Sequence, residues 1–80
     1  MPVLKALAQV ARDARTRAAV RRHEIAVTAN VYPSTVDRFE RAEAWPRNPE
    51  GMIRAYAKHV GMPAADLWLE AIVTVTEEAC

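Results

Sequence analysis

Apolar residues recur at intervals of three and four through most of this 80-residue chain, the period of amphipathic helices rather than of strands. In the first segment Val3, Leu7, Val10, Ala14 and Ala18 form a stripe, with Lys5, Arg12 and Asp13 on other faces. Neither Gly nor Pro marks the end of this helix, so its boundary is placed only near residues 17–20. A second helix is expected over about Arg21 to Ala29, a turn over Asn30 to Tyr32, and a third helix over about Pro33 to Arg41. Pro33 suits a first helical turn, where its missing N–H costs nothing. Ser34 and Asp37 have the spacing of a capping box, which offers a start one residue later. The Pro-rich loop Ala44-Trp45-Pro46-Arg47-Asn48-Pro49 must end that helix. A fourth helix then takes Glu50 to Val60 and turns Met52, Ile53, Tyr56, Ala57 and Val60 inward. Gly61 reads as its stop and Pro63 as the opening of a fifth segment. From Ala64 onward, Leu67, Trp68, Leu69, Ala71, Ile72, Val73 and Val75 give more apolar surface than one core-facing stripe uses. The run Val73-Thr74-Val75-Thr76 also alternates like a strand, so a terminal strand pairing with a second chain stands beside a continuous helix.

Residues 22–41, RHEIAVTANVYPSTVDRFER, describe two helices meeting at a tight turn. Ala26 falls where the first of them must pass close to the second. Asn30 sits where the chain reverses, and Asn tolerates the left-handed conformation better than most non-Gly residues. Ile25, Ala29, Val31, Val36 and Phe39 supply apolar contacts between the pair. The spacing is that of a helix-turn-helix, whose second helix enters the DNA major groove; an ordinary helical hairpin has the same apolar period.

Composition narrows the class. With 51% hydrophobic and 26% charged residues the chain has a folded profile, and at this length a marginal core that a partner subunit would strengthen. No apolar run is long enough to span a membrane and no secretory signal opens the chain, so a cytoplasmic protein is expected. Cys80 is the lone cysteine, which leaves no internal disulfide or zinc cluster. The net charge of +1 conceals a split: residues 1–60 hold all eleven bases against six acids, while residues 61–80 hold Asp66, Glu70, Glu77 and Glu78 and no base. A basic front that meets a polyanion and a back that faces away would produce this asymmetry. Nine of the bases are Arg, the side chain suited to bidentate phosphate and guanine contacts, although GC-rich coding also raises Arg and Ala.

Four stretches together carry a family likeness: Glu24-Ile25-Ala26, Ser34-Thr35-Val36, Arg38-Phe39-Glu40-Arg41, and Ala55-Tyr56-Ala57 leading to Gly61 and Asp66-Leu67. In them the chain resembles the Cro/CI-type helix-turn-helix regulators, also called the XRE family, over about residues 4–70. The resemblance implies an all-α fold, a lambda-repressor-like compact bundle of about five helices with a central helix-turn-helix. It also implies roles by position. Pro33, Ser34 and Arg38 fall at recognition-helix positions that face base edges in relatives. Arg22, Thr35, Arg41, Arg47 and Asn48 fall where relatives contact the DNA backbone. Arg15 and Glu40 match a pair that forms a buried salt bridge between the first helix and the end of the third. Three positions depart from the pattern: Asn30 and Ala42 replace Gly at two turns, and Tyr32 is a poor N-cap. Pro33 also removes the side chain of the first base contact. Asp37, beside the groove, would cap or orient, accept from cytosine N4, or repel phosphate.

These features together lead to an expected function. Residues 1–80 are expected to form one domain acting as a sequence-specific double-stranded DNA-binding regulator, resembling a phage Cro-like repressor in size. A homodimer on an inverted-repeat operator is expected, with Leu69, Ile72, Val73 and Val75 of the 64–80 segment as its interface. The expected location is the nucleoid of a bacterial host. An antitoxin whose acidic apolar tail binds a toxin, or an interaction module that has lost DNA binding, are the alternatives. His23 and His59 read as surface residues, Tyr56 and Trp68 as core or dimer contacts, and Trp45 as packed on the core in preference to lying on the DNA backbone. No phosphate loop and no nucleophile with a matching base is present, so no enzymatic chemistry, cofactor, metal, small-molecule ligand or membrane is expected.

Overall fold

The computed structural model describes residues 2–79. The chain forms five helices: α1 (Pro2–Arg17), α2 (Arg22–Ala29), α3 (Pro33–Glu40), α4 (Pro49–Val60) and α5 (Ala64–Ala79). No strand occurs among the described residues, and the alternating run at 73–76 is helical. No helix is long and apolar enough to cross a membrane.

The core gathers one face from every helix. Leu4, Leu7, Ala8, Ala11 and Ala14 from α1 meet Ile25 and Ala26 from α2, Val36 and Phe39 from α3, Met52, Ile53 and Tyr56 from α4, and Leu67 and Ala71 from α5. Each large side chain buried here contributes on the order of 1.5–3 kcal/mol. The Phe39 and Tyr56 rings meet edge to face, with centroids 5.9 Å apart. The α1 stripe is rotated from the one expected: Val3 and Val10 are half-buried at its margin, and Ala18 is exposed. Ala18 leaves the stripe because α1 has already ended at Arg17. The run of Ala on the true inner face lets α1 lie against α4 and α5 at short range.

Four helix ends share one device. After α1, α2, α3 and α4, a residue enters the left-handed region, and the next residue's N–H reaches back to a carbonyl five residues earlier. The bonds are Val20 N–H to Arg15 O (3.1 Å), Val31 to Ala26 (3.0 Å), Glu43 to Arg38 (3.0 Å) and Met62 to Ala57 (3.3 Å). This Schellman geometry favours Gly, yet the left-handed residues are Ala19, Asn30, Ala42 and Gly61. Asn30 and Gly61 accept it readily; each Ala costs about 1–2 kcal/mol through its Cβ.

The Ser34–Asp37 capping box does not form. Helix α3 begins at Pro33 after an extended Tyr32, with no side-chain cap, because proline already fixes the first helical φ. Helix α2 instead has its N-terminal Arg21 N–H accepted by Glu24 Oε2 at 2.8 Å. Trp45 is 39% exposed rather than packed in the core, and its neighbour Pro46 is the loop residue that is buried.

Candidate nucleic-acid interface

The turn at Asn30 (φ 58°, ψ 48°) fixes the angle between α2 and α3, and Ile25, Ala26, Val36 and Phe39 close the space beneath it. The inner face of α3 is thereby spent on the core. Its outer face presents Pro33, Ser34 and Arg38, all exposed. A shallow groove of about 590 Å³ runs along one side of α3, lined by Arg15, Arg21, Arg22, His23, Pro33, Ser34 and Asp37. A second, of about 820 Å³, lies beside the N-terminus of α3 and the α3–α4 loop, where Tyr32, Thr35, Arg47 and Asn48 are among its lining residues. Helix α3 is thus a ridge with an Arg-bearing trough on each side.

The structure divides the sequence-nominated residues between these features. Arg22 shares the first groove with Pro33 and Ser34, whereas Thr35, Arg47 and Asn48 share the second. Arg38 stands exposed on α3, and Arg41 just beyond its last residue. Asn48 has a local task as well: it is the N-cap of α4, and its Oδ1 accepts from Gly51 N–H at 3.1 Å. A Cβ at Gly51 would lie 2.6 Å from Asn48 Nδ2, so glycine is what lets the cap close. Arg21 and Tyr32, which the sequence does not nominate for DNA contact, also line these grooves, as does His23, read as a surface residue. Arg21 and His23 line the first groove together with Ser34, and Tyr32, 79% exposed, borders the second. Tyr32 carried a signal, being an aromatic in a turn, outside every apolar stripe.

Beneath the ridge lies a polar hub. Glu40 is 7% exposed and accepts from Arg15 Nε (2.6 Å) and Nη2 (3.0 Å), from Arg22 Nε (3.1 Å), and from the Tyr56 hydroxyl (2.6 Å). Arg15 Nη1 also donates to the Val20 carbonyl at 2.9 Å. The single carboxylate therefore joins α1, α2, α3 and α4. Burial by itself raises the Glu40 pKa, but the hydrogen bonds from Arg15, Tyr56 and Arg22 outweigh it and leave the carboxyl below its ordinary value. The hydrogen bond to Glu40 holds Arg15 above its ordinary value, while burial, aided by Glu40, pushes the Tyr56 hydroxyl well above its own. Arg22, nominated for phosphate, is thus also a hub member through Nε.

On α5, which packs against α1 and α4, Leu69, Ile72 and Val73 are 57%, 55% and 52% exposed. Val75 does not join them. It is partly buried against the core, because it falls one turn beyond Ala71 on the inward stripe. Tyr56 lies wholly in the core and Trp68 packs partly against it. His59, half-buried at the end of α4, shares a hydrogen bond of 2.6 Å with the Thr28 hydroxyl of α2.

No protein-family model matches the chain, nor does any curated protein by sequence. Among solved structures it is similar to two of the clp gene regulator ClgR from Corynebacterium glutamicum. One has a TM-score of 0.79 at 22% identity, over 96% of this chain and 80% of that chain. The other has a TM-score of 0.72 at 22% identity, over 90% and 91% respectively. At this identity the likeness establishes the fold: this chain has the helical architecture of ClgR.

Proposed function

We propose that the protein is a sequence-specific double-stranded DNA-binding transcriptional regulator that reads bases with α3. The observation that carries this reading is the exposed α3 ridge between two Arg-bearing grooves. A major groove admits a helix, and the phosphates on either side of it need cations at the helix flanks. Ser34 and Arg38 are the proposed base readers, with Pro33 shaping the entry of the helix. Arg22, Thr35, Arg41, Arg47 and Asn48 are the proposed backbone contacts, joined by Arg21 and His23. The regulatory role of ClgR over clp genes supports assigning this chain to gene regulation.

One module has little contact area, so a homodimer on an inverted repeat is part of the proposal. The exposed Leu69, Ile72 and Val73 supply its interface, and repression by occluding a promoter is the simplest mechanism. A Cro-like repressor acting in the host nucleoid is the corresponding part of the proposal. A second reading, a module that uses α5 to bind another protein such as a toxin, is favoured by the acidic residues Asp66, Glu70 and Glu77 around that apolar face. Arg38→Ala separates the two. A DNA reader loses about 1–3 kcal/mol of operator affinity and relaxes at one base position; unchanged DNA binding removes Arg38 from the interface.

A further inference from the structure

Asp37 is the one carboxylate among the residues lining the groove between α2 and α3, where Arg15, Arg21, Arg22 and His23 stand around it. A negative charge on a surface offered to phosphate weakens attachment to any duplex. Its geometry assigns it a different use. Asp37 Oδ2 lies 3.3 Å from Arg41 Nε, one turn further along the chain, and Oδ1 lies 4.0 Å from Arg22 Nε on α2. Arg22 Nε is also held by Glu40 Oε1 at 3.1 Å. Arg22 is therefore anchored through Nε by Glu40, with Asp37 as a more distant neighbour, and Arg41 is oriented through Nε by Asp37, while its Nη1 faces Glu43 Oε2 at 3.8 Å. A guanidinium is a planar fork of five donors, so anchoring Nε orients the plane and keeps terminal N–H groups for a second acceptor.

We infer that Asp37 is a positioning residue that sets operator specificity without reading a base. It orients Arg41 directly and, beside the Glu40 anchor, keeps Arg22 facing the groove, so that both guanidiniums stand in register for two phosphates of the duplex, and its charge weakens attachment in every other register. This inference rests on the proposal that α3 reads DNA. Two other uses fit less well. Asp37 Oδ2 lies 3.3 Å from Arg41 and Oδ1 faces Arg22 at 4.0 Å, so cytosine N4 would have to compete with two guanidiniums for the carboxylate. Asp37 also lies a full turn inside a helix that begins at Pro33, so it is not the cap.

The test uses the whole chain, the operator sequence selected by the natural protein, and an unrelated duplex of equal length. Asp37→Asn should weaken operator binding roughly tenfold while unrelated duplex is bound as tightly or more tightly, so that the affinity ratio collapses. The preferred base at each position should not change. Arg41→Lys, which keeps the charge but loses the fork, should lower operator affinity in the natural background and add little to Asp37→Asn. Because Arg41→Lys leaves Asp37 in place, its effect on the operator is informative even if Asp37→Asn impairs folding. Equal tightening of both duplexes on Asp37→Asn would show simple repulsion, and a changed preference at one base pair would make Asp37 a reader; either overturns the inference. A natural protein that selects no sequence would sink the DNA-reading proposal and this inference with it. A selected sequence with an unchanged affinity ratio would sink this inference alone.

Discussion

Replacing Glu40 with Ala should destabilise the fold by about 4 kcal/mol, a magnitude that follows from what the carboxylate leaves behind. Its side chain is 3% exposed and that of Arg15 is 12% exposed, so the pair is effectively out of water. Breaking a buried pair by removing one partner costs about 3–5 kcal/mol, because the other charge is stranded. Arg15 keeps one bond, from Nη1 to the Val20 carbonyl, which puts its share at the low end. The Tyr56 hydroxyl, in a residue with no exposure, loses its acceptor, at a further cost of about 1–3 kcal/mol. Arg22 adds little, since half of its side chain is already in solvent. A chain of this length has roughly 4–12 kcal/mol in total, so the variant should sit at the edge of folding. Urea unfolding followed by far-ultraviolet circular dichroism measures the loss directly. Glu40→Gln, which keeps an acceptor for Tyr56, should fall between the two. A loss below about 1 kcal/mol for Glu40→Ala would refute the hub as the tie between the four helices.

The same hub sets the limbs of the stability–pH curve. Glu40 has a folded pKa below its unfolded value of about 4.3, so its contribution is complete above that pH and disappears as the pH falls through the folded value. Glu40→Gln should flatten this acid limb. Tyr56, held above its ordinary pKa, contributes fully below about pH 10 and progressively less as the pH rises beyond it; Tyr56→Phe should remove that alkaline limb. Ala42→Gly should stabilise the protein by up to about 1 kcal/mol, the relief of a left-handed Ala less the added freedom of the unfolded chain, as read from the denaturation midpoint. A lower midpoint would show that Ala42 is not strained. Ile72→Glu should turn the proposed dimer into a monomer in sedimentation, with thermal stability nearly unchanged because the side chain is 55% exposed. A protein that is already monomeric before the change would remove α5 as the interface.

The parts of the fold legible in the sequence were those marked by residues with one strong preference. Asn30 announces a left-handed turn, Gly61 a helix stop and Pro33 a first turn, and each occupies that place. The end of α1 was hidden because its left-handed position is filled by Ala19, a residue that signals helix rather than stop. That shift also explains why Ala18 was assigned to a core it does not reach. At the site, the resemblance named the α3 residues Pro33, Ser34 and Arg38, which are exposed, and paired Arg15 with Glu40. The third and fourth donors to Glu40 were invisible, since Tyr56 lies 16 residues away on another helix and reads as plain core. Asp37 stayed ambiguous for a similar reason. Its meaning depends on where the Nε atoms of Arg22 and Arg41 lie, a matter of tertiary geometry. Val75 and Leu69 are equally apolar by type, and only the phase of α5 against α1 separates the inward residue from the outward one.

The most direct test of the central proposal is selection from a random double-stranded DNA pool, followed by a salt titration on the winning sequence. A dimeric reader predicts an inverted repeat with half-sites about one helical turn apart, and an affinity that falls steeply with salt. No enriched sequence, with only weak salt-sensitive attachment to any duplex, would contradict sequence-specific recognition by α3.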